Sequence, residues 1–254
     1  MKLRLAFLCI LGVILCVSLT QVSCRLGGKP KLKVGTNVDY PPFSYRQEAE
    51  FFGVDIDLVK ALGEKTGYEI EVLNINFEQL LPALQNREID FIASAMTITD
   101  QRAAIAQFTV PYYQAGQAFV RRSDNPIAID SLENLAVYKI GTLNSTTGMQ
   151  LVEEKLIQAG LMPEKNLYEY RSNAEAITAL LDGRVDFVVL DDAPARQYSA
   201  IHPITIAYEH MTNEQYGLVF RKKSRHFDKF NRALQDMITS GELKAILDKY
   251  GLAR

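Results

Sequence analysis

The chain has 254 residues, of which 48% are hydrophobic and 23% charged, and its formal net charge is −2. This is the composition of an ordinary globular protein, with enough length for one large domain or two smaller lobes. The charges are mixed and mildly acidic, which excludes an electrostatic case for nucleic-acid binding.

The first 24 residues have the order of a secretory signal. Lys2 and Arg4 give a basic start, residues 5–19 are almost entirely apolar, and small or polar residues follow. The apolar stretch is short for a membrane span, which needs about 20 residues. We therefore expect an exported protein whose signal peptide is residues 1–24; an uncleaved N-terminal anchor is the alternative.

The cysteines are confined to this segment, at Cys9, Cys16 and Cys24. The folded part is therefore expected to contain neither disulfides nor thiol chemistry. Cys24 stands at the expected cleavage position and is similar to the lipid-attachment cysteine of bacterial lipoproteins, although Gln21 replaces the leucine usual in such signals. We expect a lipid anchor at Cys24 on the extracytoplasmic membrane face; simple cleavage into the periplasm is the alternative.

Strands and helices alternate along the first half of the chain. The predicted elements are strands at 33–37, 69–75 and 89–93 and helices at 55–65 and 77–86. Asp55 is expected to cap the first helix and Gly67 to end it. Pro82 places the start of the second helix near that residue.

The second half repeats this order. Lys-Val-Gly-Thr at 33–36 is echoed by Lys-Ile-Gly-Thr at 139–142. Ala-Leu at 83–84 followed by Ile-Asp-Phe at 89–91 is matched by Ala-Leu at 179–180 and Val-Asp-Phe at 185–187. Two copies predict an α/β protein with two lobes, each a small, mostly parallel sheet flanked by helices. The tail adds a strand at 218–220 and helices at 227–239 and 242–250, separated by Gly241.

Polar segments follow the predicted strands, where open α/β sheets bind ligands. In residues 94–102, Asp100 is expected to cap a helix that directs Arg102 at an anion, for which a planar guanidinium is well suited. Residues 144–148 carry hydroxyls at a helix start, which favours a second anion element; plain capping by Ser145 or Thr146 is the alternative.

Asp191 and Asp192 close a third strand and favour a cation, with a helix cap as the alternative for one of them. The three segments together match the two charges of an amino-acid backbone, and burial of either charge without a partner costs several kcal/mol. Tyr40 and Phe77 also follow strands and could stack on a side chain.

With these segments the chain resembles a known family, the amino-acid-binding, type II periplasmic solute-binding proteins of ABC importers. This family is also called bacterial extracellular solute-binding protein family 3. The resemblance covers nearly all of residues 30–254. The segments that carry it are Val34-Gly35-Thr36-Asn37, Tyr40-Pro41-Pro42-Phe43, Gly53-Val54-Asp55-Ile56-Asp57-Leu58, Ile89-Asp90, Thr97-Ile98-Thr99-Asp100-Gln101-Arg102 and Asn144-Ser145-Thr146-Thr147-Gly148.

The resemblance implies a role for each of ten positions. Arg102 would grip the ligand α-carboxylate, helped by the backbone N–H groups of Thr97 and Thr147. Asp191 would receive the α-ammonium, assisted by the Thr97 hydroxyl and the Ala95 carbonyl. The remaining positions are the aromatic walls Tyr40 and Phe77 and the side-chain-reading residues Asn37, Ser94 and Leu143.

The resemblance also implies the domain organisation. Lobe 1 would comprise residues 25–113 and 219–254, lobe 2 residues 118–209, and the hinge crossovers residues 114–117 and 210–218. Hinge closure would enclose a free amino acid and present it to an ABC transporter permease in the inner membrane. The protein is expected to be a monomer without cofactor or metal, because His202, His210 and His226 lack ligand spacing and are expected at the surface.

The sequence does not decide which amino acid is the ligand. The Thr-Thr-Gly segment at 146–148 is most similar to arginine-type binders, which favours arginine among polar amino acids. Asn37 stands where binders of cationic amino acids often carry an acid, and with Leu143 it would also suit glutamine. Two other functions remain. One is a periplasmic cyclohexadienyl-type dehydratase on the same fold, which would need a general acid in the cleft; the strand-end segments contain none, though Glu209 and Glu214 lie near a crossover. The other is a ligand sensor for a receptor.

Overall fold

The computed structural model describes residues 28–252 of the chain. The predicted signal peptide, Cys24 and the other two cysteines lie outside the described residues. Within this range no helix is long and apolar enough to cross a membrane. From Lys31 onward the chain forms one compact unit.

Short strands and helices alternate along that unit. The strands are β1 (Lys31–Thr36), β2 (Asp39–Tyr40), β3 (Ser44–Gln47), β4 (Glu50–Phe52), β5 (Glu69–Asn74), β6 (Phe91–Ile92), β7 (Ala106–Phe108), β8 (Tyr113–Arg122), β9 (Ile140–Leu143), β10 (Leu167–Tyr170), β11 (Phe187–Asp191), β12 (Ile204–Tyr216) and β13 (Val219–Arg221). The α-helices are α1 (Val54–Thr66), α2 (Phe77–Gln85), α3 (Asp100–Ile105), α4 (Thr147–Val152), α5 (Asn173–Leu181), α6 (Asp192–Ile201), α7 (Phe227–Ser240) and α8 (Glu242–Lys249). A π-helical turn at Glu153–Ile157 continues α4.

Two five-stranded sheets organise the fold. The first has the order β5-β1-β6-β13-β7 and the second the order β10-β9-β11-β8-β12. In each sheet the first three strands are parallel and the remaining pairings are antiparallel. The predicted α/β class is confirmed; β2, β3 and β4 form an additional three-stranded sheet. The sheets are mixed because β13 and β8 run opposite to the strands that they join.

The predicted internal repeat is confirmed at atomic level. The carboxylate of Asp90 accepts the backbone N–H of Lys33 at 2.8 Å, and that of Asp186 accepts the N–H of Lys139 at 2.9 Å. Asp90 thus links the start of β6 to β1, and Asp186 links the start of β11 to β9, at the same place in both copies. The register agrees, with Val34 beside Phe91 in one sheet and Ile140 beside Phe187 in the other.

Several helix starts differ from the prediction. Asp55 does not cap α1, because that helix begins after Gly53 and the Asp55 side chain turns into the core. Asp100 does not cap α3 either; Thr99 does, accepting the N–H of Arg102 at 3.2 Å. Helix α2 begins at Phe77, with Pro82 inside it. Gly67 and Gly241 end their helices in the left-handed conformation, as predicted.

The two long strands β8 and β12 pair antiparallel along most of their lengths. Their pairing extends from Arg122 and Ile204, in the second sheet, to Tyr113 and Tyr216. Beyond Tyr216 the chain continues through β13 into the first sheet, where α7 and α8 pack against α1. Residues 114–117 and 210–216 of the predicted crossovers lie on this ribbon of β8 and β12, and residues 217–218 follow it. The lobe boundaries themselves stay a prediction.

Aromatic packing anchors the first sheet. Phe91 and Phe220 face each other across β6 and β13 with ring centroids 4.8 Å apart, and Phe230 of α7 lies 5.0 Å from Phe91. These three rings are fully buried. In the second sheet Phe119 and Phe187 are likewise fully buried, so each sheet has its own apolar core.

Gly53 is required by the turn that leads into α1. Its φ of 123° and ψ of 173° lie in a region that is essentially restricted to glycine. A Cβ there would stand 2.1 Å from the carbonyl oxygen of Phe43 and 2.8 Å from that of Pro42. We expect Gly53→Ala to lower the free energy of unfolding by about 2–4 kcal/mol, measured by urea denaturation, because backbone strain alone costs about 1–3 kcal/mol.

Gly67→Ala is the matched control. Gly67 also has a positive φ, 74°, but a Cβ there would meet nothing within 4 Å. We expect it to cost only about 1–2 kcal/mol, the strain of the left-handed conformation. Equal losses in the two variants would show that the contact with Phe43 adds nothing.

Candidate functional site

A cleft lies where strands of the two sheets end. It is lined by the ten residues singled out in the sequence and by Thr146: Asn37, Tyr40, Phe77, Ser94, Ala95, Thr97, Arg102, Leu143, Thr146, Thr147 and Asp191. The structure therefore brings all ten together, although their ligand-binding roles stay predictions. Most of them follow β1, β5, β6 or β9, Leu143 and Asp191 are the last residues of β9 and β11, and Tyr40 lies on β2. The location therefore agrees with the rule for strand carboxyl ends.

Arg102 supplies the positive charge of the cleft. It is only 7% exposed, and its guanidinium donates to the carbonyl oxygens of Thr97 at 2.9 Å and Ser145 at 2.8 Å. Its Cζ lies 5.5 Å from the ring centroid of Phe77. Burial lowers the pKa of the guanidinium, and the nearby carboxylates of Glu214 and Asp191 oppose that shift. Since the fork has five N–H donors, donors remain for an anion.

Two residues with positive φ shape the loops around Arg102. Ser145, with φ of 63°, turns its carbonyl toward the guanidinium. Ala95, with φ of 45°, points its N–H at the buried carboxylate of Asp55, 2.9 Å away. Left-handed backbone is uncommon for residues other than glycine and clusters at functional sites. The strain therefore agrees with the cleft as the functional site.

Thr146 caps α4 at the opposite wall. Its hydroxyl accepts the N–H of Met149 at 3.2 Å, which bears out the capping interpretation for this residue. Gly148 allows the helix to start against β8 and β11, because a Cβ there would stand 2.9 Å from Oε1 of Gln117 and 3.1 Å from Val189. This close approach sets Thr147 beside the crossover ribbon.

Asp191 supplies a buried negative charge. The Tyr216 hydroxyl donates to one carboxylate oxygen, and Nε2 of Gln117 donates to the other at 2.5 Å. The hydroxyl of Tyr40 accepts the backbone N–H of Asp191 at 3.3 Å. Burial raises the pKa of Asp191 to about 7, and the charge of Glu214 adds to the rise, while the hydrogen bonds from these donors lower it.

Hydrogen bonds to two serines fix the backbone of Asn37. The Ser94 hydroxyl accepts the N–H of Asn37 at 3.0 Å, and the Ser44 hydroxyl donates to the carbonyl of Asn37 at 2.9 Å. The backbone of Asn37 is therefore fixed on both sides, which leaves the side-chain amide as the part that can respond to a ligand. Asp192, the second acid of the predicted cation element, does not line the cleft. It forms an ion pair with Arg196 at 2.5 Å.

The sequence reasoning missed the residues behind the cleft wall. Gln117 and Tyr216 donate hydrogen bonds to Asp191, and Glu214 accepts hydrogen bonds from Thr97 and Thr147. These residues lie on β8 and β12, outside the polar segments that follow the predicted strands. The available signal was the crossover prediction itself, since any polar residue on a hinge strand can face the cleft.

Asp55 is a second support that was missed. Its carboxylate accepts the hydroxyl of Tyr112 at 2.5 Å as well as the N–H of Ala95 at 2.9 Å. Burial raises the pKa of Asp55 to about 6, and these two hydrogen bonds oppose the rise. The side chain thus ties the start of α1 to the strained loop at Ala95 and to the beginning of the crossover.

No metal site emerges among residues 28–252, where no three His, Cys, Asp or Glu side chains could hold an ion. His202 and His210 are partly exposed. His226 is not at the surface as expected: it is 6% exposed, accepts Nε of Arg225 at 3.1 Å and packs edge-on against Tyr68. Burial lowers its pKa, which agrees with a neutral imidazole packed in a core.

Comparison with known proteins gives a consistent result along the whole described chain. The family model for bacterial extracellular solute-binding proteins, family 3, matches residues 32–253. The arginine-binding extracellular protein ArtP of Bacillus subtilis is 31% identical over 256 residues, which cover 95% of this chain and 96% of that protein.

Solved structures agree with the sequence match. An ancestral arginine-binding protein bound to arginine has 34% identity and a TM-score of 0.81, covering 88% of this chain and 99% of the other. An ancestral arginine-binding protein bound to glutamine has 35% identity and a TM-score of 0.80, covering 89% and 99%.

Proposed function

Because this chain belongs to the bacterial extracellular solute-binding proteins, family 3, we propose that it captures a free polar amino acid outside the cytoplasm and delivers it to an ABC importer. One observation carries the proposal: Arg102 and Asp191, two buried charges of opposite sign, line one cleft. An amino-acid backbone carries the complementary pair. The names of the relatives, which are binding proteins, support binding rather than the dehydratase alternative.

Hinge closure is the mechanism that we favour. Arg102 donates to the carbonyl of Ser145 at 2.8 Å, and the Tyr40 hydroxyl accepts the N–H of Asp191 at 3.3 Å. These contacts join segments that follow strands of the first sheet to segments at the ends of β9 and β11 in the second. A ligand bound to Arg102 would gain its ammonium partner only when Asp191 approaches. The ligand therefore binds the closed arrangement better and shifts the population toward it.

Arginine is the ligand that we propose first, with glutamine next. Both occur in the solved relatives, where one ancestral protein holds arginine and another glutamine. Asn37 offers no counter-charge for a guanidinium, but Glu78 is near: its carboxylate accepts Nδ2 of Asn144 at 3.4 Å. Glu78 and Asn144 directly follow the cleft residues Phe77 and Leu143 in the chain. We therefore propose Glu78 as the counter-charge for the guanidinium of an arginine ligand.

The site of action follows from the predicted export signal. We propose that the protein works as a monomer in the periplasm or on the extracytoplasmic membrane face, held there by a lipid on Cys24. Its partner would be the permease of an ABC transporter in the inner membrane. Closure would present both lobes to that permease.

A ligand screen tests the proposed function. The chain from residue 25 onward is heated with each of the twenty amino acids, and each hit is followed by calorimetry. A bound ligand raises the melting temperature in proportion to the logarithm of its concentration over its dissociation constant. A shift with arginine or another polar amino acid is expected; silence across all twenty would overturn the proposal.

Glu78→Gln tests the arginine preference. We expect it to weaken arginine binding by roughly 0.5–1.5 kcal/mol, since the pair would be partly exposed to solvent, and to leave glutamine binding unchanged. Calorimetry with both ligands measures the difference. Glu69→Gln, which removes an exposed charge paired with Lys31 at 3.2 Å, is the control. Equal weakening for the two ligands would contradict the role of Glu78 as the counter-charge.

A further inference from the structure

Glu214 lies on β12, in the ribbon formed by β8 and β12, and both oxygens of its carboxylate accept hydrogen bonds. One oxygen accepts the hydroxyls of Thr97 at 2.9 Å and Thr147 at 2.8 Å. The other accepts Nε2 of Gln117 at 2.8 Å and the hydroxyl of Thr212 at 3.2 Å. A carboxylate has about four acceptor positions, so all of them are used.

These contacts decide where the threonine hydrogens point. A hydroxyl has one hydrogen to donate and two lone pairs to accept with. Because Thr97 and Thr147 both donate to Glu214, their hydrogens turn away from the cleft that both residues line. Their lone pairs are then left as acceptors, and an acceptor is what an ammonium group requires.

We propose that Glu214 is a positioning residue, which orients the hydroxyls of Thr97 and Thr147 as acceptors for the α-ammonium of the ligand. This inference rests on the proposed function, since it needs a ligand with an ammonium group. Glu214 acts through the threonines, because it does not itself line the cleft. Its place on the ribbon lets one carboxylate serve Thr97 beside the first sheet and Thr147 beside the second.

Glu214 also acts on the ammonium partner itself. Nε2 of Gln117 donates to Asp191 at 2.5 Å and to Glu214 at 2.8 Å, so a single amide bridges the two carboxylates. The groups that face Asp191 are this amide, the hydroxyls of Tyr216 and Tyr40, and the charges of Glu214 and Arg102. Glu214 is thus the negative neighbour that helps to raise the pKa of Asp191.

The test compares Glu214→Gln with the wild type on paired ligands. Each pair is an amino acid and its desamino analogue: arginine with desamino-arginine, and glutamine with desamino-glutamine. We expect the variant to lose about ten- to a hundredfold in affinity for the amino acid, as for a hydrogen bond to a charged group. The analogue, which has no ammonium, should lose less than about threefold. Calorimetry measures both.

The pH profile is the second readout. Asp191 must be ionised to receive an ammonium, so wild-type affinity for the amino acid should fall as the pH drops below about 7. Without the charge of Glu214, the pKa of Asp191 decreases and the midpoint of this fall moves to lower pH. A merely structural defect would weaken both members of a pair equally and leave the midpoint unchanged, which would overturn the inference.

Controls keep the outcome interpretable. Glu209→Gln removes the same charge from the same strand at an exposed ion pair with Arg196, and should bind like the wild type. If Glu214→Gln does not fold, Thr97→Val removes the hydroxyl through which Glu214 acts, and the same split between ligand and analogue is expected. Wild-type binding of an amino acid with no such split in either variant would reject the role of Glu214 and leave the proposed function intact. If the wild type binds none of the amino acids, both the role of Glu214 and the proposed function are rejected.

Discussion

Asp191→Asn is expected to reduce amino-acid affinity by roughly 3–5 kcal/mol, or two to three and a half orders of magnitude. The reason is that the ligand ammonium would enter a buried cleft without its counter-charge. Asparagine keeps the size of the side chain, and the Tyr216 hydroxyl and the Gln117 amide can still bond to it. The loss therefore measures the charge, by calorimetry with the hit from the ligand screen.

The same variant should make the ligand-free protein more stable. Because the pKa of Asp191 is raised to about 7, the folded state binds more protons than the unfolded state between about pH 4 and 7. The wild-type free energy of unfolding therefore falls as the pH rises through that window. Asparagine avoids this fall, so the variant should gain about 2–4 kcal/mol above pH 7 and almost nothing near pH 4.

Asp182→Asn is the control for both effects. It removes an acid from the same half of the chain, but one in an exposed ion pair with Arg184. We expect neither its affinity nor its stability to change measurably. Unchanged ligand affinity in Asp191→Asn would exclude Asp191 as the ammonium partner.

Arg102→Lys is the second substitution with a large expected effect. Lysine keeps the charge but has a single nitrogen, whereas Arg102 holds the carbonyls of Thr97 and Ser145 with two different nitrogens. A lysine cannot hold both carbonyls and also grip a carboxylate at two points. We expect affinity to fall by roughly 2–4 kcal/mol at every pH from 6 to 9.

Calorimetry with the same ligand measures this loss. Arg184→Lys, at an exposed ion pair with Asp182, should bind like the wild type. Retained affinity in Arg102→Lys would mean that only the positive charge matters, and that the paired geometry of the guanidinium does not.

Residues at strand ends were predictable from the sequence because their position follows from local patterns. Arg102 and Asp191 each come after a buried apolar strand, and the sheet architecture then directs both to one cleft. The internal repeat was equally readable, because Asp90 and Asp186 recur at the same place and make the same bond. What each cleft residue does to a ligand stays a prediction.

The supporting residues were not predictable, because their partners are distant in the chain. Glu214 meets Thr97 across 117 positions, and Asp55 meets Ala95 across 40. Helix capping failed for a related reason: Asp55 and Asp100 both match the preferred capping residues, but the tertiary structure uses Asp55 elsewhere and lets Thr99 cap α3. Local helix propensity does not include this competition between capping and tertiary contacts.

The paired ribbon of β8 and β12 has a consequence for how affinities compare. Its ladder pairs Ala115 with Glu214 and Gln114 with Gln215, and its register shifts between His210 and Glu214. Irregularities of this kind bend a strand pair locally, so the ribbon can bend there while the flanking pairs stay in place. The balance between open and closed forms would then depend on a few side-chain contacts, such as that of Asp39 with the N–H of Ala174 at 3.2 Å. Every ligand would share that balance as one common factor in its apparent dissociation constant. Changes at Asp39 would therefore rescale all affinities together and preserve the ranking of ligands.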